Sequence, residues 1–324
     1  MRAALVDPSE RRLVVDDVSS PTAGPGELLV QVRAAGVNRA DLAVVAGTYS
    51  GRPAAERFVG GSELAGEIVE VGAGVEGWSV GDRVMAMGRG FAELAVVDPA
   101  VAMPVPAGLD DTTAGCLPVA LATMHDALVT HGRFEPDQHV VVNAASSGVG
   151  VVGVRLALHA GAASVIGTSR SAQKRERLAE LVTDERFVAV APDDLLACAR
   201  ERTGGRGVDV IVDNVGASAL ADNIAAAAIG GRVVQVGRLG GRHASIDLDE
   251  LARKRIELIG VTFRTRTAAE RAAVARAAWV AAADAVTAGA VLPVVHAEYP
   301  LEEVSRAHEA LAADLHVGKL VVRP

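Results

Sequence analysis

Three glycines in the spacing Gly148-x-Gly150-x-x-Gly153 follow the apolar run Val140-Val141-Val142 and open a helical stretch from Val151 to Ala160. Strand, tight turn and helix start come in the order that a dinucleotide's pyrophosphate requires. The first glycine permits the turn, the second lets backbone N–H groups approach the phosphates, and the third admits close helix–strand packing. The helix N-terminus adds partial positive charge. Ser147, Gly148, Val149 and Gly150 are therefore the expected cradle. A glycine turn can also serve packing alone; the alternating strands and helices around this one favour the nucleotide reading. About 20 residues on, an NAD-preferring site carries Asp or Glu for the ribose 2′-hydroxyl. Here Thr168, Ser169, Arg170 and Lys174 stand there without a carboxylate. Hydroxyls and cations hold a 2′-phosphate by charge-assisted hydrogen bonds, so NADPH is expected rather than NADH. The competing reading makes Arg170 and Lys174 a solvated helix face.

The elements that position these residues fall into two textures. Residues 1–118 read as short alternating strands between Gly/Pro turns: Leu28–Ala34, Glu67–Val71, Arg83–Met87 and Glu93–Val97, with no long helix before about Asp111. From Val140 onward, strands and helices alternate. Strands are expected at Ser164–Thr168, Phe187–Val190, Val208–Val212, Arg232–Val236 and Ile256–Val261, and helices at Ala172–Leu181, Leu195–Arg202 and Ala219–Ala228. That alternation predicts a doubly wound parallel sheet. A long Ala-rich helix from Thr267 to Ala288 and strands at Val294–His296 and Lys319–Val322 are expected to return to the first domain. The fold class is thus α/β, with a mostly β domain of residues 1–118 completed by 267–324 and a nucleotide-binding domain of 119–266.

Composition narrows the function. A net charge of −8 argues against a nucleic-acid partner. Cys116 and Cys198, the only cysteines, cannot form a four-thiolate zinc site or a disulfide framework. The apolar start before Asp7 is too short for a signal peptide, and no apolar segment reaches the ~20 residues of a membrane span, so a cytoplasmic location is the default expectation. Gly77-Trp78-Ser79-Val80-Gly81 has the spelling of a serine-hydrolase elbow but lacks the strand before and helix after it.

Further motifs resemble the zinc-independent quinone oxidoreductase branch of the medium-chain dehydrogenase/reductase superfamily over nearly the whole chain. They are Val32–Asp41, Gly47-Thr48-Tyr49, Gly60–Gly66, Val80–Val84, Asn143–Gly150 and the ending around Tyr299–Leu301, His308 and Gly318-Lys319. The resemblance implies a GroES-like catalytic domain, a Rossmann domain with a cleft between them, and a homodimer. Zinc alcohol dehydrogenases of the superfamily place Cys where Asn38 stands and His where Ser62 stands, so no metal is expected; Glu63 alone survives from their motif.

The resemblance also supplies the remaining site residues. Tyr49 is the candidate acid for protonating a reduced acceptor, or a packing ring at the cleft rim. Asn38 is the cleft amide for nicotinamide, ribose or a substrate carbonyl, or an Asx-turn residue. Thr123 matches a nicotinamide contact, with helix capping as its plain alternative. Asn214 and Val215 follow the fourth parallel strand and Gly237 and Arg238 the fifth, where a dinucleotide lies. Arg264 and Arg266 in Phe263-Arg264-Thr265-Arg266 resemble a segment near the nicotinamide and the dimer edge, and Lys319 reaches the cofactor phosphates or solvent. The expected partner is a small quinone or enone. Three functions follow: quinone reductase, enoyl or enone reductase, or an NADPH-binding structural protein with little turnover. A tyrosine common near the adenine in related bacterial enzymes is absent at Val190 and Ala191.

Overall fold

The strand expected from Leu28 forms, but it is buried at every position except Gln31 and Arg33, because neighbouring strands and the core enclose it on both sides. The computed structural model describes residues 1–49 and 56–324. The chain divides into two compact units: Met1–Val119 with Phe263–Thr287 and Leu292–Pro324, and Ala120–Thr262 with Ala288–Val291.

The first unit opens with strands β1 (Arg2–Asp7), β2 (Arg12–Asp17) and β3 (Leu28–Val37) and helix α1 (Arg39–Val45). Strands β4 (Phe58–Val59), β5 (Leu64–Val71), β6 (Arg83–Ala86), β7 (Leu94–Val97) and β8 (Ala102–Pro104) follow, then helix α2 (Asp111–Ala114). Helix α1 is absent from the sequence reading because its seven residues are too few to show a helical period. At Gly77–Gly81 the chain turns, with φ of 79° and 94° at its two glycines, and reaches β6 without a helix.

After helix α3 (Pro118–His125) and a π-helical continuation at Asp126–His131, the second unit forms one parallel sheet. Its elements are β9 (His139–Val142), α4 (Gly148–His159), β10 (Ser164–Thr168), α5 (Ala172–Leu181), β11 (Phe187–Val190), α6 (Leu195–Arg202), β12 (Val208–Asp213), α7 (Ala217–Ala226), β13 (Ala227–Gln235), α8 (Leu248–Lys254) and β14 (Glu257–Gly260). The strand order β11-β10-β9-β12-β13-β14 is doubly wound, with the direction of winding reversing between β9 and β12. Val140, Val141, Val142, Ile166, Val210 and Ile211 are fully buried, the burial expected of strands covered on both faces. β13 starts at Ala227, inside the stretch read as helix to Ala228. Alanine favours helix locally, but Ala227 pairs with Val208 across the sheet.

The chain then returns to the first unit with α9 (Ala268–Thr287), β15 (Val295–Pro300), α10 (Val304–Ala313) and β16 (Lys319–Arg323). β16 runs antiparallel to β3, completing the order β15-β16-β3-β5-β6-β8, with β7 also on β3. Phe91, Leu28, Leu64 and Ile68 lie in this unit's fully buried core.

Candidate active site

In the second unit the carboxyl ends of β9, β10 and β12 are tied together by buried amides and a carboxylate. Thr168 donates its hydroxyl to Asn143 Oδ1 at 2.8 Å, and Asn143 Nδ2 donates to Asn223 Oδ1 at 2.7 Å. Asn214 Nδ2 donates to the Asn143 carbonyl at 2.9 Å. Asp213 Oδ1 accepts the N–H groups of Val215 and Gly216 at 2.8 and 3.0 Å. Burial pushes the Asp213 carboxyl above its ordinary pKa, and its Oδ2 is buried without a hydrogen-bond partner. This lattice fixes the loops at the switch point, where an open α/β sheet takes its ligand.

The glycine turn sits beside it. Ala144 has φ of 52°, and Ser147 caps α4 by accepting the Gly150 N–H at 3.0 Å. Helix geometry leaves the N–H groups of Gly148 and Val149 as first-turn donors. A Cβ on Gly150 would lie 2.4 Å from the Ala144 carbonyl, so glycine is required there by packing, whereas one on Gly153 would meet Met124 Sδ at 2.6 Å and displace that side chain. Gly237 is held as closely, since its Cβ would fall 2.1 Å from the Asn214 carbonyl. Arg238 is exposed at this end of the sheet, and Thr123 is half-buried inside α3 rather than at its start.

Where a 2′-phosphate would be read, Arg170 is exposed, whereas Thr168, Ser169 and Lys174 are buried. Lys174 is therefore not part of a solvated helix face. Ser169 Oγ lies 3.2 Å from Ser146 Oγ. Arg175, which the sequence reading passed over, donates to the carbonyls of Ser169 and Arg170 at 2.8 and 3.0 Å and pins that loop. Its signal was present as one more basic residue in the first turns of α5.

The first unit holds a closed polar cluster. Asn38 Nδ2 donates to Glu63 Oε1 at 2.8 Å and to Ser62 Oγ at 3.1 Å. Lys319 Nζ donates to Asn38 Oδ1 at 2.7 Å and to Glu63 Oε1. Glu63 Oε2 accepts the Val119 N–H at 2.8 Å. Asn38, Glu63 and Lys319 are all buried. Lys319 thus points neither to solvent nor to a phosphate contact. The antiparallel register that pairs Leu320 with Val37 brings it beside Asn38. Next in the cluster, Asp41 Oδ2 accepts the Asn38 N–H at 2.7 Å, and burial pushes the Asp41 carboxyl up to about 7.

Tyr49 follows α1, with its N–H donating to the Ala43 carbonyl at 3.1 Å. The Arg264 guanidinium carbon stands 4.6 Å from the Tyr49 ring centroid, so a cation lies over the phenol's face. Arg266 stacks similarly on Phe263 at 5.2 Å. Arg264 is exposed, and Tyr49 and Phe263 are half-buried.

Comparison with known proteins places this architecture. An alcohol dehydrogenase GroES-like domain matches residues 24–107 and a zinc-binding dehydrogenase domain matches residues 148–279. A rat quinone oxidoreductase is 30% identical over 310 residues, covering 94% of this chain and 92% of its own. The chain belongs to the medium-chain dehydrogenase/reductase superfamily, in its quinone oxidoreductase branch. The Thermus thermophilus quinone oxidoreductase, whose complex with NADPH has been solved, superposes with a TM-score of 0.84 at 27% identity, covering 100% of both chains. Erythronolide synthase of Saccharopolyspora erythraea is 34% identical over 74% of this chain, which spans only 7% of that synthase.

Zinc, named in the matched dehydrogenase description, does not fit this member's donor set. The lysine ammonium is bonded by the Asn38 amide oxygen and the Glu63 carboxylate, the Ser62 hydroxyl accepts from the Asn38 amide, and an amide and a hydroxyl cannot replace thiolate and imidazole ligands. Among the described residues no group of three His, Cys, Asp or Glu could hold a metal ion. Nor is any helix among them long and apolar enough to cross a membrane.

Proposed function

We propose that this superfamily member is a zinc-independent, NADPH-dependent reductase of quinones or similar conjugated carbonyl compounds. The observation that carries the reading is the pairing of a glycine cradle at the switch point with a carboxylate-free second strand end, where Arg170 is exposed and Arg175 anchors the loop. Ser147, Gly148, Val149 and Gly150 would hold the pyrophosphate, Ser169 and Arg170 the 2′-phosphate, and the backbone around Asn214, Val215 and Gly237 the remainder of the cofactor. NADPH, when bound, supplies the hydride. Tyr49, with Arg264 over its ring, is the proton donor to the reduced acceptor. Asn38 acts by position, since both its amide hydrogens are bonded within the chain.

The relation to the rat and Thermus quinone oxidoreductases favours a quinone. The 29% identity with part of a reducing polyketide synthase of Gibberella fujikuroi supports the alternative of an enoyl thioester, which needs the same hydride and a proton. NADPH oxidation is to be measured against ortho- and para-quinones, enones and enoyl thioesters, with and without a zinc chelator. Turnover unaffected by the chelator is expected. Tight NADPH binding with no turnover of any acceptor would point to a structural role, and loss of turnover on chelation would overturn the zinc-free reading. The partner surface we propose is the exposed edge β14, with Leu258 outward, pairing with its copy in a homodimer.

A further inference from the structure

The sequence contains three lysines among 32 basic residues: Lys174, Lys254 and Lys319. Surface cations are left to arginine, and Lys319 is 3% exposed. Its surroundings are shaped for a compact positive charge. A Cβ on Gly36 would fall 2.3 Å from Glu63 Oε1, so only glycine there admits the carboxylate. Gly318, at φ of 89°, sets the start of β16, and a Cβ on it would meet the Val294 carbonyl at 2.2 Å. The ammonium then faces Glu63 and Asn38 at once. Rotating the Asn38 amide by half a turn would set its NH2 against the ammonium and its oxygen against the carboxylate, so the ion pair fixes the amide's orientation. An arginine's planar fork would not serve in the same space.

The consequence runs along α1. Asn38 precedes the helix, and its backbone N–H is held by Asp41. At the other end Thr48 and Tyr49 both donate their N–H groups to the Ala43 carbonyl, at 2.9 and 3.1 Å. A short rigid helix therefore connects the ammonium's cluster to the phenol. We propose that Lys319 is a positioning residue: its ammonium is the site's built-in cation in place of a metal ion, and it fixes Asn38 and, through α1, Tyr49. This deepens the reductase reading and rests on it for the turnover measurements.

The test compares Lys319→Met, Tyr49→Phe and their combination in steady-state reduction of whichever quinone, enone or enoyl thioester the wild type turns over fastest, with Glu63→Gln/Lys319→Met as the charge-neutral control. Lys319→Met is expected to lower kcat by roughly tenfold, as small misplacements of reacting groups do. Combined with Tyr49→Phe it should add little, because both act through one group. The control should recover the urea midpoint but not kcat. Multiplying losses, or recovery of kcat with stability in the control, would overturn the proposal. Nuclear magnetic resonance of protein carrying isotopically labelled lysine supplies a readout without turnover. A slowly exchanging Lys319 ammonium signal that moves on Glu63→Gln is expected. Its absence overturns the built-in cation even if no acceptor is turned over, whereas the signal without turnover would count against the reductase reading alone.

Discussion

At the residue scale, cofactor preference depends on few charged contacts. Arg170→Ala should lower the NADPH-to-NADH ratio of kcat/KM by roughly tenfold, the value of one charge-assisted hydrogen bond. Arg175→Ala should move it in the same direction, because its guanidinium holds the carbonyls that shape Arg170's loop. An unchanged ratio in Arg170→Ala would remove the argument for NADPH from this loop. The sequence reading found Arg170 by its distance from the glycines. It missed Arg175, which stands among the basic residues of α5 but whose partners, two backbone carbonyls, only the fold shows. Tyr49→Phe should lower enone turnover by about 10²-fold while NADPH affinity, read by fluorescence titration, stays unchanged.

At the element scale, the cradle depends on how α4 begins. Ser147 satisfies one orphan N–H of the helix, so Ser147→Ala should cost about 1 kcal/mol in urea unfolding and weaken NADPH binding with it. Lost affinity without lost stability would mean that the hydroxyl touches the cofactor directly. β14 is the edge of the parallel sheet, where Leu258 is 42% exposed. Leu258→Glu should convert a dimer to a monomer in sedimentation, and a wild-type monomer would refute the proposed interface. Most of these elements were legible, since long alternations and flanking turns mark parallel strands and their helices. Helix α1 was not, and neither was the start of β13 within an alanine run, because short length and local propensity mislead where pairing decides.

At the scale of the whole molecule, two buried groups should give stability opposing pH dependences. Asp41 is pushed up to about 7 by burial, so between about pH 4 and 7 the folded state keeps a proton that the unfolded chain has lost. Stability from this group therefore falls as pH rises through that range and levels above it. His308, pushed down to about 4 by burial, resists protonation when folded, so its contribution is lost as pH falls from 6.5 toward 4. Asp41→Asn should gain stability over the wild type as pH rises from 4 to 7, followed by urea denaturation; a constant difference would mean that Asp41 stays ionised.

The order of strands and helices, the glycine turn, the missing carboxylate after β10 and the missing thiolate and imidazole at Asn38 and Ser62 were written in the sequence, because they depend on local pattern and residue type. The partners of those residues were not. Lys319 lies 281 residues from Asn38 along the chain, and only the antiparallel pairing of β16 with β3 brings the two together. By sequence Lys319 reads as a phosphate contact or a solvated side chain, and only the fold shows it buried against a carboxylate. Tertiary structure turned it into a buried counter-charge, because a carboxylate lodged against Gly36 needs a cation beside it.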